Sequence, residues 1–176
     1  KRGECDLAGI HLMDPQTEEY NRPFLTGDLE LVRGYGRMQS LLFRPGDKRF
    51  RGKTVEQAVA AALADSRCTM VNRNAGSGTR ILIDRLLGGV QPPGYAAQPK
   101  SHNAVAAAVS QGRADWGVAI ETMASAYGLE SIPVREERYD FVVPRDRLER
   151  DSVKAFCALL DDEAVRSRIA KLGFHL

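Results

Sequence analysis

The chain has 176 residues, 43% of them hydrophobic, with 25 Lys and Arg against 23 Asp and Glu for a formal net charge of +2. That is enough apolar material for one large core or two small ones, and too even a charge to make nucleic acid or a membrane surface the main partner. No apolar run approaches the roughly 18 residues that span a bilayer, and Cys5, Cys68 and Cys157 are widely spaced with no Cys-x-x-Cys pair, which favours buried thiols over a disulfide framework. A reducing, cytoplasmic setting is therefore expected; a leader removed ahead of Lys1 would make it periplasmic instead.

In chain order, the basic stretch Arg44, Lys48, Arg49, Arg51 and Lys53 reads as a solvated hairpin or linker. Thr54-Val55-Glu56-Gln57 is a capping box, and Val55, Ala58, Val59, Ala62 and Leu63 keep helical spacing behind it. A short β-type run, Thr69 to Val71, leads into Asn72-Arg73-Asn74-Ala75-Gly76-Ser77-Gly78-Thr79-Arg80 and then a helical pattern from Ile81 to Leu87. Pro92, Pro93 and Pro99 mark a turn region. Ser101 caps a helix carrying Val105, Ala108 and Val109 and ending at Gly112. Asp115 to Ile120 is a buried strand, a short helix runs through Met123 to Tyr127 and stops at Gly128, and two strands follow at Ile132 to Val134 and Tyr139 to Val143. Ser152 and Asp162 are the expected N-caps of two closing helices. Strands alternating with helices give an α/β class with mostly parallel strands.

The segment Asn72 to Arg80 carries the most chemistry. Gly76 and Gly78 let backbone N–H groups converge, Ser77 and Thr79 add hydroxyls, and the helix start supplies about half a positive charge. Arg80 adds a planar cation suited to an oxyanion. The plainer reading is a helix entrance capped by Ser or Thr.

A unit recurs within the chain. Gly3-Glu4-Cys5-Asp6-Leu7-Ala8-Gly9-Ile10 and Gly112-Arg113-Ala114-Asp115-Trp116-Gly117-Val118-Ala119 share a Gly, two residues, an Asp and a small, apolar strand. Two such helix-turn-strand units indicate two similarly built lobes. The second copy has the Gly-Ser-Gly loop upstream; the first lobe is expected to lack its N-terminal strand and helix, with their own ligand loop.

With Cys5-Asp6-Leu7-Ala8-Gly9-Ile10-His11-Leu12, Asp14-Pro15 through Tyr20-Asn21, Val32-Arg33-Gly34-Tyr35-Gly36-Arg37, Asn72 to Arg80, Gly112 to Gly117 and Glu137-Arg138-Tyr139-Asp140, the chain resembles a type 2 periplasmic-binding-protein-like domain of the molybdate- and tungstate-binding-related family. The resemblance implies two α/β lobes joined by two crossings, Arg33 to Arg44 and Arg138 to Val143, with residues 1–44 and 136–176 in lobe one and 45–135 in lobe two. It also implies capture of a small oxyanion, molybdate or tungstate foremost, in an interlobe cleft. Members of that family occur behind helix-turn-helix DNA-binding segments or fused to molybdopterin-biosynthesis domains, so a fused DNA-binding or enzyme domain is an implied partner.

The expected ligand contacts are Asn74, Ser77, Gly78, Thr79 and Arg80 from lobe two, and His11, Asp14, Tyr20 and Tyr139 from lobe one. Thr17, Asn21, Arg138 and His102 are secondary candidates; His11 reads equally well as a strand cap, and Trp116 better as core. Chemistry of other kinds finds no support. Ser77 lacks a Gly-x-Ser-x-Gly elbow, no phosphate-loop Gly-Lys-Ser or dinucleotide fingerprint occurs, and Cys5, His11, Asp14 and His102 have no recognised metal spacing. The expectation is a non-catalytic binding domain without a cofactor, a sensor or carrier within a larger protein. A small organic-acid effector domain of a transcriptional regulator and an accessory domain in molybdopterin cofactor biosynthesis are the alternatives.

Overall fold

A computed structural model describes residues 4–14 and 16–176. In chain order the elements are β1 (Ala8–Ile10), β2 (Leu29–Phe43), α1 (Val55–Ala64), β3 (Met70–Val71), α2 (Gly78–Leu87), α3 (His102–Ser110), β4 (Trp116–Ile120), α4 (Thr122–Ala126), β5 (Glu130–Pro144), α5 (Asp151–Asp161) and α6 (Glu163–Lys171). The chain divides into two compact units, Lys1–Arg37 with Glu136–Leu176 and Met38–Arg135. The long strands β2 and β5 pass from one unit to the other. Gly3, the glycine of the first repeat copy, and Pro15 lie outside the described residues.

Unit two is a three-layer α/β body. β4 pairs in parallel with β3, Met70 opposite Trp116 and Val71 opposite Gly117, and antiparallel with β2, from Gln39 opposite Ile120 to Phe43 opposite Trp116. Every residue of β4 is buried, as an apolar strand covered on both faces must be. Alternation sorts the side chains. Leu41, Phe43, Met70, Trp116 and Val118 share one cluster with Ala58 and Val59 of α1 and Ile83 and Leu87 of α2, while Leu42, Val71 and Ala119 pack with Val105 and Val109 of α3 and Ala124 of α4. Gly117 permits the close approach of α3: a Cβ there would stand 2.7 Å from Val71 Cγ1 and 2.8 Å from Val105 Cγ1.

The local signals operate as expected in several places. Thr54 and Gln57 form the reciprocal capping box, Ser101 caps α3 through the Ala104 N–H, and Asp162 caps α6 through the Val165 N–H. Gly88, Gly112 and Gly128 take φ of 57°, 72° and 63° at helix ends, where a left-handed residue is needed.

Unit one pairs β1 antiparallel with β5, Ala8 opposite Val142 through Ile10 opposite Asp140. Gly34 of β2 lies directly against the Tyr139 carbonyl, where a side chain would collide. Val153 of α5 is buried, and Phe156 meets Phe141 of β5 edge-on at 4.8 Å.

Four expectations need correction. The two strands read at Ile132 to Val134 and Tyr139 to Val143 are one continuous strand, because the charged residues between them are paired: Glu137 is buried against Arg37. The basic stretch is not a solvated linker. Phe50 is fully buried, Arg49 bonds Asp47, Asp65 and Asp115, and Arg44 donates to Asp115 and to the Val109 and Ala114 carbonyls. Ser152 is not the cap of α5, which begins at Asp151 behind Arg150 without a side-chain cap. Finally, β3 with β4 is a parallel pair, but β1 with β5 and β2 with β4 are antiparallel, since the long strands run against the strands they flank.

The repeated Asp serves each unit alike. Asp115 accepts from the Thr69 N–H, Arg44 and Arg49 at the turn into β4. Asp6 accepts from Arg147 and Arg150 ahead of β1.

Candidate functional site

In unit two the loop between β3 and α2 is built from both ends. The Asn72 N–H donates to the Ala97 carbonyl and the Asn74 N–H to Pro99, so the proline-rich turn holds the strand exit. Gly76 takes φ 82°, turning the chain, and Ser77 becomes the N-cap of α2: its Oγ accepts from the Arg80 N–H at 3.2 Å and donates to the Asn74 carbonyl at 3.0 Å. The cap reading of the sequence is thus realised in the geometry. Gly78 and Thr79, the first two helical residues, have N–H groups with no acceptor inside the helix by construction. With the helix dipole behind them, such N–H groups are suited to negative charge.

Thr79 is buried, and its Oγ1 accepts from Gln39 Nε2 at 3.1 Å. Among the described residues, Trp116 Nε1 at the start of β4 is buried without a hydrogen-bond partner, and so are Gln39 Oε1, Ser40 Oγ, Asn74 Oδ1 and Thr122 Oγ1. The last four gather at one end of the unit-two sheet, away from Trp116. Gln39 and Ser40 pair with Ile120 and Ala119 at the carboxyl end of β4, Asn74 follows β3, and Thr122 opens α4, where the Glu121 N–H bonds the Met38 carbonyl. Each orphaned polar group costs about 1–3 kcal/mol unless something satisfies it. In open α/β sheets ligands sit outside the carboxyl ends of strands, and that is the end where these four collect.

Arg80 is occupied differently from a free clamp. Its Nε donates to both oxygens of Asp84 at 2.8 and 2.9 Å, Nη1 to the Arg73 carbonyl at 3.2 Å and Nη2 to Tyr95 Oη at 2.6 Å, and its guanidinium lies 4.5 Å from the Tyr95 ring centroid. The Asp84 bond, then Tyr95, raises its pKa further. His102, first residue of α3, accepts the Ile120 N–H at Nδ1, with Arg73 Nη1 at 3.0 Å from the same atom.

In unit one the structure brings His11 and Tyr139 together, stacked at 5.4 Å and 16°. Tyr139 stacks likewise on Tyr35, at 5.4 Å and 10°, with the Arg37 guanidinium 5.1 Å from its ring centroid. Asp14 is engaged in a turn, its Oδ1 accepting from the Gln16 and Thr17 N–H groups; those of Thr17 and then Gln16 hold its carboxyl below the usual range. Tyr20 is bridged to Met13 and faces a groove with Arg22, Arg33 and Arg138. Asn21 is structural: at φ 63° and fully buried, it accepts from the Leu12 N–H and donates to Asp140, which also accepts from the Gly34 N–H. Trp116 is core, fully buried between the unit-two layers.

Sequence reasoning missed Gln39, Ser40 and Thr122. The available signal was two polar residues placed directly before Leu41-Leu42-Phe43, and a Thr two positions beyond the apolar strand ending at Ile120. Both are polar residues at strand ends where the apolar pattern alone would continue.

Residues 1–161 match the family model described as a PBP superfamily domain. The uncharacterized protein YvgK of Bacillus subtilis is 32% identical over 98% of this chain, which spans 56% of that relative's length. Among solved structures of similar fold, an ABC-type phosphate transport receptor from Vibrio cholerae superposes with a TM-score of 0.63 at 16% identity, covering 97% of this chain and 80% of the receptor. The tungstate binding protein TupA of Desulfovibrio alaskensis gives 0.61 at 16% identity, covering 93% of this chain and 73% of TupA. With its two α/β units and a family match over most of its length, this chain belongs to the PBP superfamily domain family.

Proposed function

We propose that unit two captures a small oxyanion at the N-terminus of α2, and that the chain acts as a sensor or carrier within a larger protein. The observation that carries the reading is the set of buried, unpartnered polar atoms beside a helix start whose first N–H groups are unspent. Gly78 and Thr79 supply backbone donors, Ser77 holds the cap, and Gln39 and Asn74 supply amides. Neutral, preorganised donors suit a dianion that has lost its hydration, without requiring a full countercharge. Thr79 Oγ1 both donates and accepts, so the Gln39 amide can rotate to turn its NH2 outward without losing the bond between them. In that orientation, and with the Asn74 amide turned likewise, the cup is a set of donors and favours molybdate or tungstate, which carry no proton at neutral pH. Arg80 serves as a positioning residue, bracing the loop through Arg73 and Tyr95.

A second reading follows from the orientation in the structure. There the orphaned amide atoms are Gln39 Oε1 and Asn74 Oδ1, and they are acceptors. Acceptors favour an oxyanion that still carries a proton, such as phosphate. The solved structures of a phosphate receptor and a tungstate binding protein show that the shared fold accompanies both chemistries.

Titration calorimetry with molybdate, tungstate, phosphate and sulfate separates these readings. Gln39→Leu is the sharpest variant, because it keeps the volume, leaves the helix cap intact and removes the orphaned amide. Anion affinity is expected to fall about fivefold to fiftyfold, about 1–2.3 kcal/mol, while the stability of the unliganded protein changes little, because losing the orphaned Gln39 Oε1 offsets leaving Thr79 Oγ1 without its partner. A Gln39→Leu protein that binds as the wild type does, or a full-length wild type that binds none of the four anions, overturns the proposal.

A further inference from the structure

Unit one contains a groove of about 670 Å3 at the start of β2 and the end of β5, and four arginines, Arg22, Arg33, Arg138 and Arg145, face it. Their partners differ. Arg145 pairs with Glu30 at 3.2 Å on the exposed rim, and Arg138 lies 3.4 Å from Asp140. The Asp140 carboxylate also accepts from Asn21 and the Gly34 N–H, neutral donors that fix its position and leave its charge to Arg138. Arg22 and Arg33 are exposed and have no ion pair with any described residue. Glu19 is the remaining acid in the wall. Apart from Gly27, the rest of the lining is apolar or aromatic: Tyr20, Leu25, Leu29 and Leu31.

Two features of this lining select a ligand class. Guanidinium forks match carboxylate and phosphate oxygens in pairs, and two of the four have no competing protein carboxylate. The leucines and the tyrosine ring offer contact to a carbon skeleton, which an inorganic anion does not have. The volume is in the range of about 300–1,000 Å3 that holds a small organic molecule. We infer that this groove is a second, independent binding site, for a small organic polyanion bearing two or more carboxylate or phosphate-ester groups. Every residue of it belongs to unit one, and it shares no residue with the α2 cup.

The test uses full-length protein at low salt and two probes, citrate for carboxylates and fructose 1,6-bisphosphate for phosphate esters, with inorganic phosphate as the ion without a carbon body. Arg22→Ala with Arg33→Ala is the informative variant, because neither side chain holds another residue in place. At least one organic probe is expected to bind at millimolar concentration or tighter, and the double variant should weaken it about tenfold or more. The probe that binds more tightly names the anionic group. Gln39→Leu should leave this binding unchanged, so failure here and failure of the α2 site are separable. No binding of either organic probe up to about 10 mM, equal affinity in the double variant, or loss of binding in Gln39→Leu instead would each overturn the inference.

Discussion

Replacing Arg80 by alanine separates a positioning role from a clamping one. The substitution removes two Nε bonds to Asp84, the bond to the Arg73 carbonyl, the bond to Tyr95 Oη and the stacking on the Tyr95 ring. These losses are unequal. The Asp84 side chain is 43% exposed and keeps its bond from Tyr95 at 2.8 Å, so it rehydrates, and the ion pair contributes about 0.5–1 kcal/mol. The guanidinium on the ring adds about 0.5–1 kcal/mol. Arg73 is buried, and orphaning its carbonyl costs about 1–2 kcal/mol. Together the change should destabilise the protein by about 2–4 kcal/mol. At a urea m-value of about 2 kcal/mol/M the unfolding midpoint falls by about 1–2 M. The single tryptophan, Trp116, is fully buried in unit two and reports that transition by fluorescence. Because three N–H groups of Arg80 are committed to the protein, oxyanion affinity measured on the folded variant should change less than about threefold. Arg80→Lys keeps the charge but not the fork, and should recover less than half of the lost stability. A midpoint that stays put while affinity drops about tenfold or more would refute the reasoning and make Arg80 the clamp.

Gly117→Ala should destabilise by about 3 kcal/mol, since the new methyl meets Val71 and Val105 side chains and the Val71 carbonyl at 2.7–2.8 Å in a fully buried strand; thermal unfolding checks this, and a melting temperature near that of the wild type would mean α3 can yield. Asp115 gives a pH dependence. Burial alone would raise its pKa, but the Thr69 N–H, Arg49 and Arg44 outweigh it and hold the carboxyl below its ordinary value; the Arg49 bond does the same for Asp47. A depressed folded pKa means the stabilisation is complete above the unfolded value near 4 and is lost as pH falls through the folded one. Asp115→Asn should therefore reduce stability at pH 7 and flatten the decline below about pH 4 in urea titrations, and an unchanged acid limb would show that the cluster contributes nothing to it.

Most of unit two was legible because its signals are local. The caps at Thr54, Ser77 and Ser101 and the helix-ending glycines act within three or four residues of the side chains that encode them. The loop from Asn72 to Arg80 announced itself by the same logic. Unit one was harder to read. The sequence pattern reads β5 as two strands, at Ile132 to Val134 and Tyr139 to Val143, and the Arg37–Glu137 pair, 100 residues apart, accommodates the charges between them in one strand. Asp14 and Asn21 were singled out as polar loop residues, and their polarity serves the turn and the Asp140 network.

The amino-acid sequence by itself determined where helices begin and end, which strand is buried on both faces, and which loop presents backbone donors. These depend on spacing of three or four residues, or on alternation by two, and need no knowledge of the distant chain. The tertiary structure alone decided how each charge and amide is spent: Arg49 on three aspartates, Arg80 on Asp84 and Tyr95, and Gln39 on Thr79, 40 positions away. Composition lists a guanidinium as available wherever it occurs. Strand register and helix packing bring it a carboxylate, as for Arg49 and Arg80, or leave it exposed without an ion pair to any described residue, as for Arg22 and Arg33.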